Sequence, residues 1–516
     1  MARTTLLGSV LWLCCISMAM AETPSAPQLA NRIDQLLHEF QQEEKVVPSQ
    51  QSSDPEYLRR VYLDLGGRIP TVAEAREFLK DESPDKRQQL AHRLVRSGTH
   101  ARQMATFWRR TWIPQTDTQE FRDLTGEFET WLTLQFANDA PYDQVVRKML
   151  TVNIPDAEMD SHTGASAAMG TPESFLTASQ RLPSNLAANT TRAFLGLNLD
   201  CAQCHDHPFS RWTQEQFWET AAFFARPKAG DDVTAEKFEI ELPESTVMVS
   251  ATLFTGDEVP WPETMTQDSG RKALSDWVTG SGNPYFAKNA VNRLWAHYFG
   301  VGLVEPLDDL SEDNPALQPE ILDELANAFV ESGYDLKLLS EAIVLTEAYQ
   351  RTSRVSAGEE RDVDLKSYAR MPVRGMSGEQ LYQSIRTAAG MKAVRDDIDP
   401  TRGRDDGSRF VSSFFVEDAA HAERSILQAL ALMNGDTTAE VIDTEHSPML
   451  RVLADAPFLS TSQKIDTLFL ATLGRKPDAE EVELFTTHLK ESENRSEALS
   501  NLMWVLINSA EFNTNH

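Results

Sequence analysis

Along most of the chain, apolar residues recur every three or four positions, the interval that turns one face of an α-helix inward. In DPEYLRRVYLDLGGRIPT, Leu58, Val61, Tyr62 and Leu65 keep that spacing, and Gly66-Gly67 predicts the stop. TVAEAREFL follows, with Thr71 and Glu74 spaced as a capping box, in which each side chain accepts from the other's backbone N–H. In SPDKRQQLAHRLVRSG, Pro84 is expected at the first helical position and Gly98 at the stop. Two tryptophan-rich helices come next, in ATFWRRTWIP and FETWLTLQFAN. The helical period returns in NPYFAKNAVNRLWAHYFG, PEILDELANAFVESG and DLKLLSEAIVLTEAYQ. It closes the chain in DAEEVELFTTHLKES, capped by Asp478 and Glu481, and in SEALSNLMWVLINSAEF.

One region breaks this rhythm. KFEIELPESTVMVSATLFTGDEVPWPET alternates and is rich in Val, Thr and Pro, which predicts two or three short strands. The expected fold is therefore mainly α, two helical domains joined by a short β-containing connector. A polar segment spans 22–53, the first helical domain 54–235, the connector 236–270 and the second helical domain 271–516. The charged stretches 354–366 and 396–413 read as exposed loops.

Residues 1–21 follow a different logic. Arg3 supplies a positive start, Leu6 to Ile16 an apolar run, and Ala19-Met20-Ala21 a small-residue cleavage site before Glu22, which together describe a signal peptide. The run is short for a bilayer, and no later stretch approaches twenty uninterrupted apolar residues. The expectation is a periplasmic or secreted protein with no membrane span once the leader is removed; a retained anchor is the alternative. A net charge of −30 repels polyanions, so no nucleic-acid partner is expected.

Charge and export sharpen the meaning of the cysteines. Cys14 and Cys15 fall in the leader, which leaves Cys201 and Cys204 in an oxidising compartment. They stand in CAQCHDHPF, after SNLAANTTRAFLGLNLD, a segment able to supply a helix. In a helix, Cys201, Cys204 and His205 share one face. Two thiols can then add to the vinyl groups of a haem while the imidazole reaches its iron, the logic of Cys-x-x-Cys-His. His205 is thus the candidate metal ligand, and His207, beside Asp206, a candidate to support it or to carry protons. FWETAAFF could wall a porphyrin, and Met248 or Met265 could complete the iron's coordination. Zinc is the first competitor, but Cys201, Cys204, His205 and His207 are too crowded to close a tetrahedron without a distant ligand. A redox dithiol or disulfide is the second; the thioredoxin version of it wants a βαβ setting.

These residues also carry a resemblance. LGLNLDCAQCHDHPFSRWTQEQFWETAAFFARP and DPEYLRRVYLDLGGRIPTVAEAREFL resemble the planctomycete cytochrome-C-like family of secreted proteins, whose function is largely uncharacterised. NPYFAKNAVNRLWAHYFGVGLVEPLDDL, SILQALALMNG and LINSAEFNTNH resemble the C-terminal domain that usually accompanies it. The resemblance implies a paired-domain secreted protein and a c-type haem, and brings no established reaction. An acidic residue is common in the family where Ser210 stands here, and the connector after Phe224 diverges.

Arg293 and His297 lie four apart on an otherwise apolar helix, a costly placement unless something meets them. A haem propionate would suit Arg293, and the iron or a bound substrate would suit His297; the alternative is that both pair with Asp308 or Asp309. Those two acids could instead bind a cation or a sugar hydroxyl, or cap a helix. Trp108, Trp112, Trp212 and Trp218 are candidates for stacking on carbohydrate or haem, with core packing as the alternative. The expected function is electron transfer or oxidoreduction by one covalent haem c, with a periplasmic redox partner. Polysaccharide breakdown is a suitable setting, although no residue specifies a carbohydrate, and whether the protein is an enzyme stays open. The alternative is a non-enzymatic secreted scaffold with a structural CxxC pair; a metal-dependent hydrolase would need a convergent His/Asp cluster.

Overall fold

The computed structural model describes residues 23–117, 121–153, 171–208, 210–227, 232–355, 365–391, 406–414 and 425–516. The leader and most of the 354–366 and 396–413 stretches lie outside these residues. The chain is 60% helical, and among the described residues strands form only two small two-stranded sheets, so the fold is mainly α as expected.

Local chemistry sets most helix ends. Thr71 Oγ1 accepts from the Glu74 N–H at 3.3 Å and Glu74 Oε2 from the Thr71 N–H at 2.7 Å, so the capping box forms. Asp478 and Glu481 do the same, both at 2.8 Å. The reading of RSG needs correction. The helix Lys86–Val95 ends before Ser97, whose Oγ accepts from the His100 N–H at 3.1 Å and starts the helix Gly98–Trp112. A serine hydroxyl ahead of free N–H groups is a start signal, and here it outweighs the glycine as a stop. Pro84 lies in the turn before the helix rather than at its first position.

The connector contains one hairpin, Glu239–Glu241 against Met248–Ser250, with Ile240 opposite Val249. It packs on the helix Gln214–Ala222. The second sheet pairs Arg374–Gly375 with Thr514–Asn515, which brings the end of the chain back to its middle.

The apolar core forms two clusters. The larger runs from Ala26 to Met371, takes in Leu470, and includes the helices on both sides of the connector. The smaller runs from Met376 to Phe512 and takes in Leu63 and Ile69 from the helix Asp54–Gly66 and the turn after it. That helix contributes to both clusters, and it is buried all round from Glu56 to Gly66. Its polar residues are therefore buried too, and each finds a partner. Glu56 receives Arg60 at 2.9 Å and the Ser353 N–H at 2.8 Å. Arg60 donates to the carbonyls of Tyr349 and Arg351 at 2.6 and 2.9 Å. Arg59 reaches the carbonyls of Phe512 and Thr472 at 2.5 and 3.1 Å. Asp64 accepts from Arg374, the Tyr349 hydroxyl and Asn515. Burying so many charges is tolerable only because every one is paired or hydrogen-bonded.

Candidate cofactor-attachment loop

The helix expected to carry the cysteines stops before it reaches them. Pro183–Thr190 is α-helical, Thr191–Leu195 widens into a π turn, and Gly196 ends it in the left-handed region at φ +67°. A β-carbon at Gly196 would also stand 2.7 Å from Leu310 and 2.8 Å from Asn289, so a side chain is excluded on both counts. The close approach has a purpose in the fold. The Leu310 N–H donates to the Gly196 carbonyl and the Asn198 N–H to that of Asp308, both at 2.9 Å. These bonds fasten the strand-like stretch before the cysteines to the loop after Gly302.

The cysteines then lie on a separate one-turn 3₁₀ helix, Asp200–Gln203, with Cys204 as its cap. The i, i+3, i+4 helical face of the sequence reading is thus replaced by a tighter geometry, in which positions i and i+3 eclipse. Cys201 and Cys204 are both free thiols and both exposed. His205 is exposed at the bend that follows, and its Nδ1 lies 2.7 Å from the Asp206 carbonyl. A carbonyl only accepts, so Nδ1 carries the hydrogen of this contact and Nε2 takes no part in it.

The backbone beneath this trio is well fastened. Trp218 Nε1 donates to the Gln203 carbonyl at 3.0 Å, and Gln214 Nε2 to the Cys204 carbonyl at 3.0 Å. Asp206 accepts from the Gln214 N–H at 2.9 Å, and the His207 N–H bonds the Trp212 carbonyl at 2.8 Å. Arg192 pairs with Asp200 at the start of the turn, and Arg211 pairs with Glu312 at 2.8 Å below it. Gly196, Gln214 and the Arg192–Asp200 pair carry no signal in the motif itself. A glycine interrupting a helical pattern was the available signal for the first.

The aromatic residues Phe217, Trp218, Phe223 and Phe224 are buried. Trp212 meets Phe254 edge-on at 5.1 Å, and Phe223 stacks on Trp261 at 6.0 Å, with Phe254 and Trp261 partly buried against the larger core cluster. Trp108, Trp112, Trp212 and Trp218 are all buried, which leaves none of them as a stacking platform. Met248 is exposed on the hairpin, and Met265 packs partly against the larger core cluster. Ser210, where an acid is common in the family, has a buried Oγ without a hydrogen-bond partner.

Arg293 and His297 have separate surroundings. Arg293 donates to the Arg192 carbonyl and to Asn289 Oδ1, each at 2.9 Å, with Asp308 close enough to act on its charge. It is thereby joined to the cysteine loop through Arg192 and Asp200. His297 packs on Phe107 at 4.4 Å and on Tyr298 at 5.0 Å, beside Asp64 and Arg374, around the buried polar seam. Burial pushes its pKa down to about 4, so it is neutral at neutral pH. The cost expected of an Arg-His face is relieved by neutral carbonyl acceptors for one and by neutrality for the other.

Among the described residues, no group of three or more His, Cys, Asp and Glu side chains is placed to hold a metal ion. A zinc knuckle at Cys201 and the convergent cluster of a metal hydrolase are thus not assembled there. No described helix is long and apolar enough to cross a membrane.

Two family models match the chain. Residues 32–229 match the family PSCyt2, a protein of unknown function (DUF1549), and residues 270–402 match PSD1, a protein of unknown function (DUF1553). The two matched families are planctomycete-type paired domains of unknown function. No curated protein and no solved structure matches the chain.

Proposed function

We propose that this is an exported electron-transfer protein with one c-type haem attached through Cys201 and Cys204 and ligated on one side by His205. The observation that supports the reading is the exposed trio on a firmly braced loop, with the His205 Nδ1 occupied by a carbonyl and Nε2 left for a ligand. The donor set suits the group: two thiols to form thioethers and one neutral imidazole to bind iron. Bound there, the haem would supply one-electron chemistry. The chain's own part is to hold the thiols at one edge of a single turn, to orient His205 through its Nδ1, and to place Arg293 behind the loop. Two exposed thiols serving no structural bond would be a liability in an oxidising compartment, whereas thioether formation removes both. The leader motivates periplasmic or secreted localisation, with a redox protein as partner; polysaccharide breakdown is a compatible setting.

The alternative is a scaffold with a simple CxxC disulfide, which the same exposure of the thiols permits. One experiment separates the two. The chain is exported from a host equipped for cytochrome c maturation and run on a denaturing gel with haem staining, alongside thiol counting. Haem that stays with the polypeptide, and is lost in C201A/C204A, supports the proposal. A colourless protein under those conditions overturns it and leaves the disulfide scaffold.

A further inference from the structure

The helix Ile426–Asn434 turns its apolar side to water. Its start is fixed locally, by a capping box. Ser425 Oγ accepts from the Gln428 N–H at 3.2 Å, and Gln428 Oε1 from the Ser425 N–H at 3.1 Å. Inward the helix sends Leu432, which joins the smaller core cluster with Ala431 packed against it. Outward it sends Ile426, Leu427, Leu430 and Met433, exposed at 81, 77, 49 and 42%. At 3.6 residues per turn these four fall within about 120° of one another, a stripe as wide as the one a globular helix ordinarily buries. Trp504, on the helix Arg495–Ile507, donates to the Met433 carbonyl at 3.0 Å and anchors the end of the stripe. No residue of the Ile426–Asn434 helix is charged, in a chain of net charge −30.

We infer that this stripe is the contact surface for a second copy of the chain, in a two-fold dimer with Leu430 nearest the axis. Charge supports the choice of partner. Two chains this acidic repel each other wherever carboxylates meet, so copies can touch only through an uncharged surface, and this helix is one. Symmetry supports it too: run antiparallel to itself, the stripe sets Leu430 near its own equivalent and Ile426 near Met433 of the partner subunit. A foreign protein would be told apart by charges or hydrogen bonds, and the stripe offers none to read. An anionic membrane is repelled, and the helix has no basic residue to hold a lipid headgroup. The chain's own stretch 392–405 is more than half Lys, Arg and Asp, a composition unsuited to covering apolar surface. Size sets the strength. Four side chains this exposed make a patch of roughly 300–600 Å² on each copy, among the largest found on single chains. A pair of them comes to about 600–1,200 Å², the size of a weak, reversible interface. The stripe adjoins the smaller core cluster and not the cysteine loop, so the inference stands whether or not haem is attached.

The test is sedimentation of the full-length exported protein across a concentration series. The mass should rise from one chain to two between about 1 and 200 μM, the range of a weak interface. Association should strengthen with salt, which screens the repulsion between the two acidic chains. Leu430→Asp sets two carboxylates face to face and should weaken association at least about tenfold. Leu430→Lys should do the same, while an equimolar mixture of the two variants should form a dimer where neither does alone. Both variants should melt within about 2 °C of wild type in dilute solution, because position 430 already faces water. The mixture separates a symmetric contact from general stickiness, and the wild-type series needs no variant to fold. A wild-type chain still monomeric at about 200 μM overturns the inference and leaves the stripe to residues 415–424 or to a different protein. Assembly beyond two chains, undiminished association of Leu430→Asp, or a mixture that stays monomeric overturns it equally.

Discussion

Asp64 and Arg374, 310 positions apart, form an ion pair in which Arg374 Nη2 donates to both carboxylate oxygens, at 2.8 and 2.9 Å, with Asp64 fully buried and Arg374 largely so. The same Arg374 donates to the His297 carbonyl at 2.6 Å, and the same Asp64 receives Asn515 at 2.7 Å. One early helix is thus fastened to the middle and the end of the chain. A buried pair of this kind adds little stability relative to apolar packing, but breaking it strands a charge. Asp64→Ala should therefore destabilise the protein by about 3–5 kcal/mol in urea unfolding, whereas Glu82→Ala, at an exposed position, should leave the unfolding midpoint nearly unchanged. Equal small effects would show that the seam is not a closed network.

The seam also bears on independence of the parts. A fragment spanning 23–269 would keep Glu56, Arg60 and Asp64 and lose Ser353, the Tyr349 and Arg351 carbonyls, and Arg374. It would also lose the helix Phe286–Phe299 from the larger core cluster. The fragment should lack cooperative unfolding and be cut rapidly by protease. A sharp two-state transition in it would contradict this account.

The cysteine loop makes the opposite prediction. Cys201 and Cys204 are exposed, unbridged and on a turn held by Trp218 and Gln214 rather than by their own side chains. C201A/C204A should leave the melting temperature of the haem-free protein within about 2 °C of wild type, as surface changes do. A loss of several degrees would mean that the pair is structural.

The contrast between seam and loop shows what a sequence can disclose. Capping at Thr71 and Asp478, the tryptophan helices and the β hairpin are local events, written in spacings of three or four residues or in alternation. The cysteine motif was legible for the same reason. Its geometry was not, because Gly196 ends the preceding helix through contact with Leu310 and Asn289, about a hundred residues on. Arg59, Arg60 and Asp64 fall between the apolar positions of an amphipathic pattern. Their partners lie hundreds of positions away, and periodicity carries no information about a second layer of protein covering that face.

Burial also raises the pKa of Asp34, to about 6, against the one backbone N–H, from Glu347, that it accepts at 2.8 Å. An acid whose folded pKa lies above its unfolded value stabilises the fold at low pH, and loses that contribution as pH rises from about 4 to about 6. Asp34→Asn keeps an acceptor for Glu347 and removes the charge. It should be more stable than wild type at pH 7, by about 1–2 kcal/mol, and indistinguishable from it near pH 4. Chemical denaturation at the two pH values reads this directly; a variant less stable at pH 7 would refute it.

Three histidines run against Asp34. Desolvation lowers His100 to about 3, and His297 and His516 to about 4, the last also beside Arg59. A base whose folded pKa is depressed gives its full stabilisation above its unfolded value, about 6.5, and loses it as pH falls toward the folded one. Between pH 6 and 4, wild type therefore loses stability through the histidines while recovering some through Asp34. Each unit of depression is worth about 1.4 kcal/mol, so these three histidines together outweigh Asp34. Asp34→Asn, which removes the opposing contribution, should show a steeper acid limb than wild type. His516→Gln, which removes one of the three depressed imidazoles, should show a shallower one. Melting temperatures at half-unit steps from pH 7 to pH 4 test both slopes together, and parallel curves for all three proteins would show that these groups do not govern the acid response.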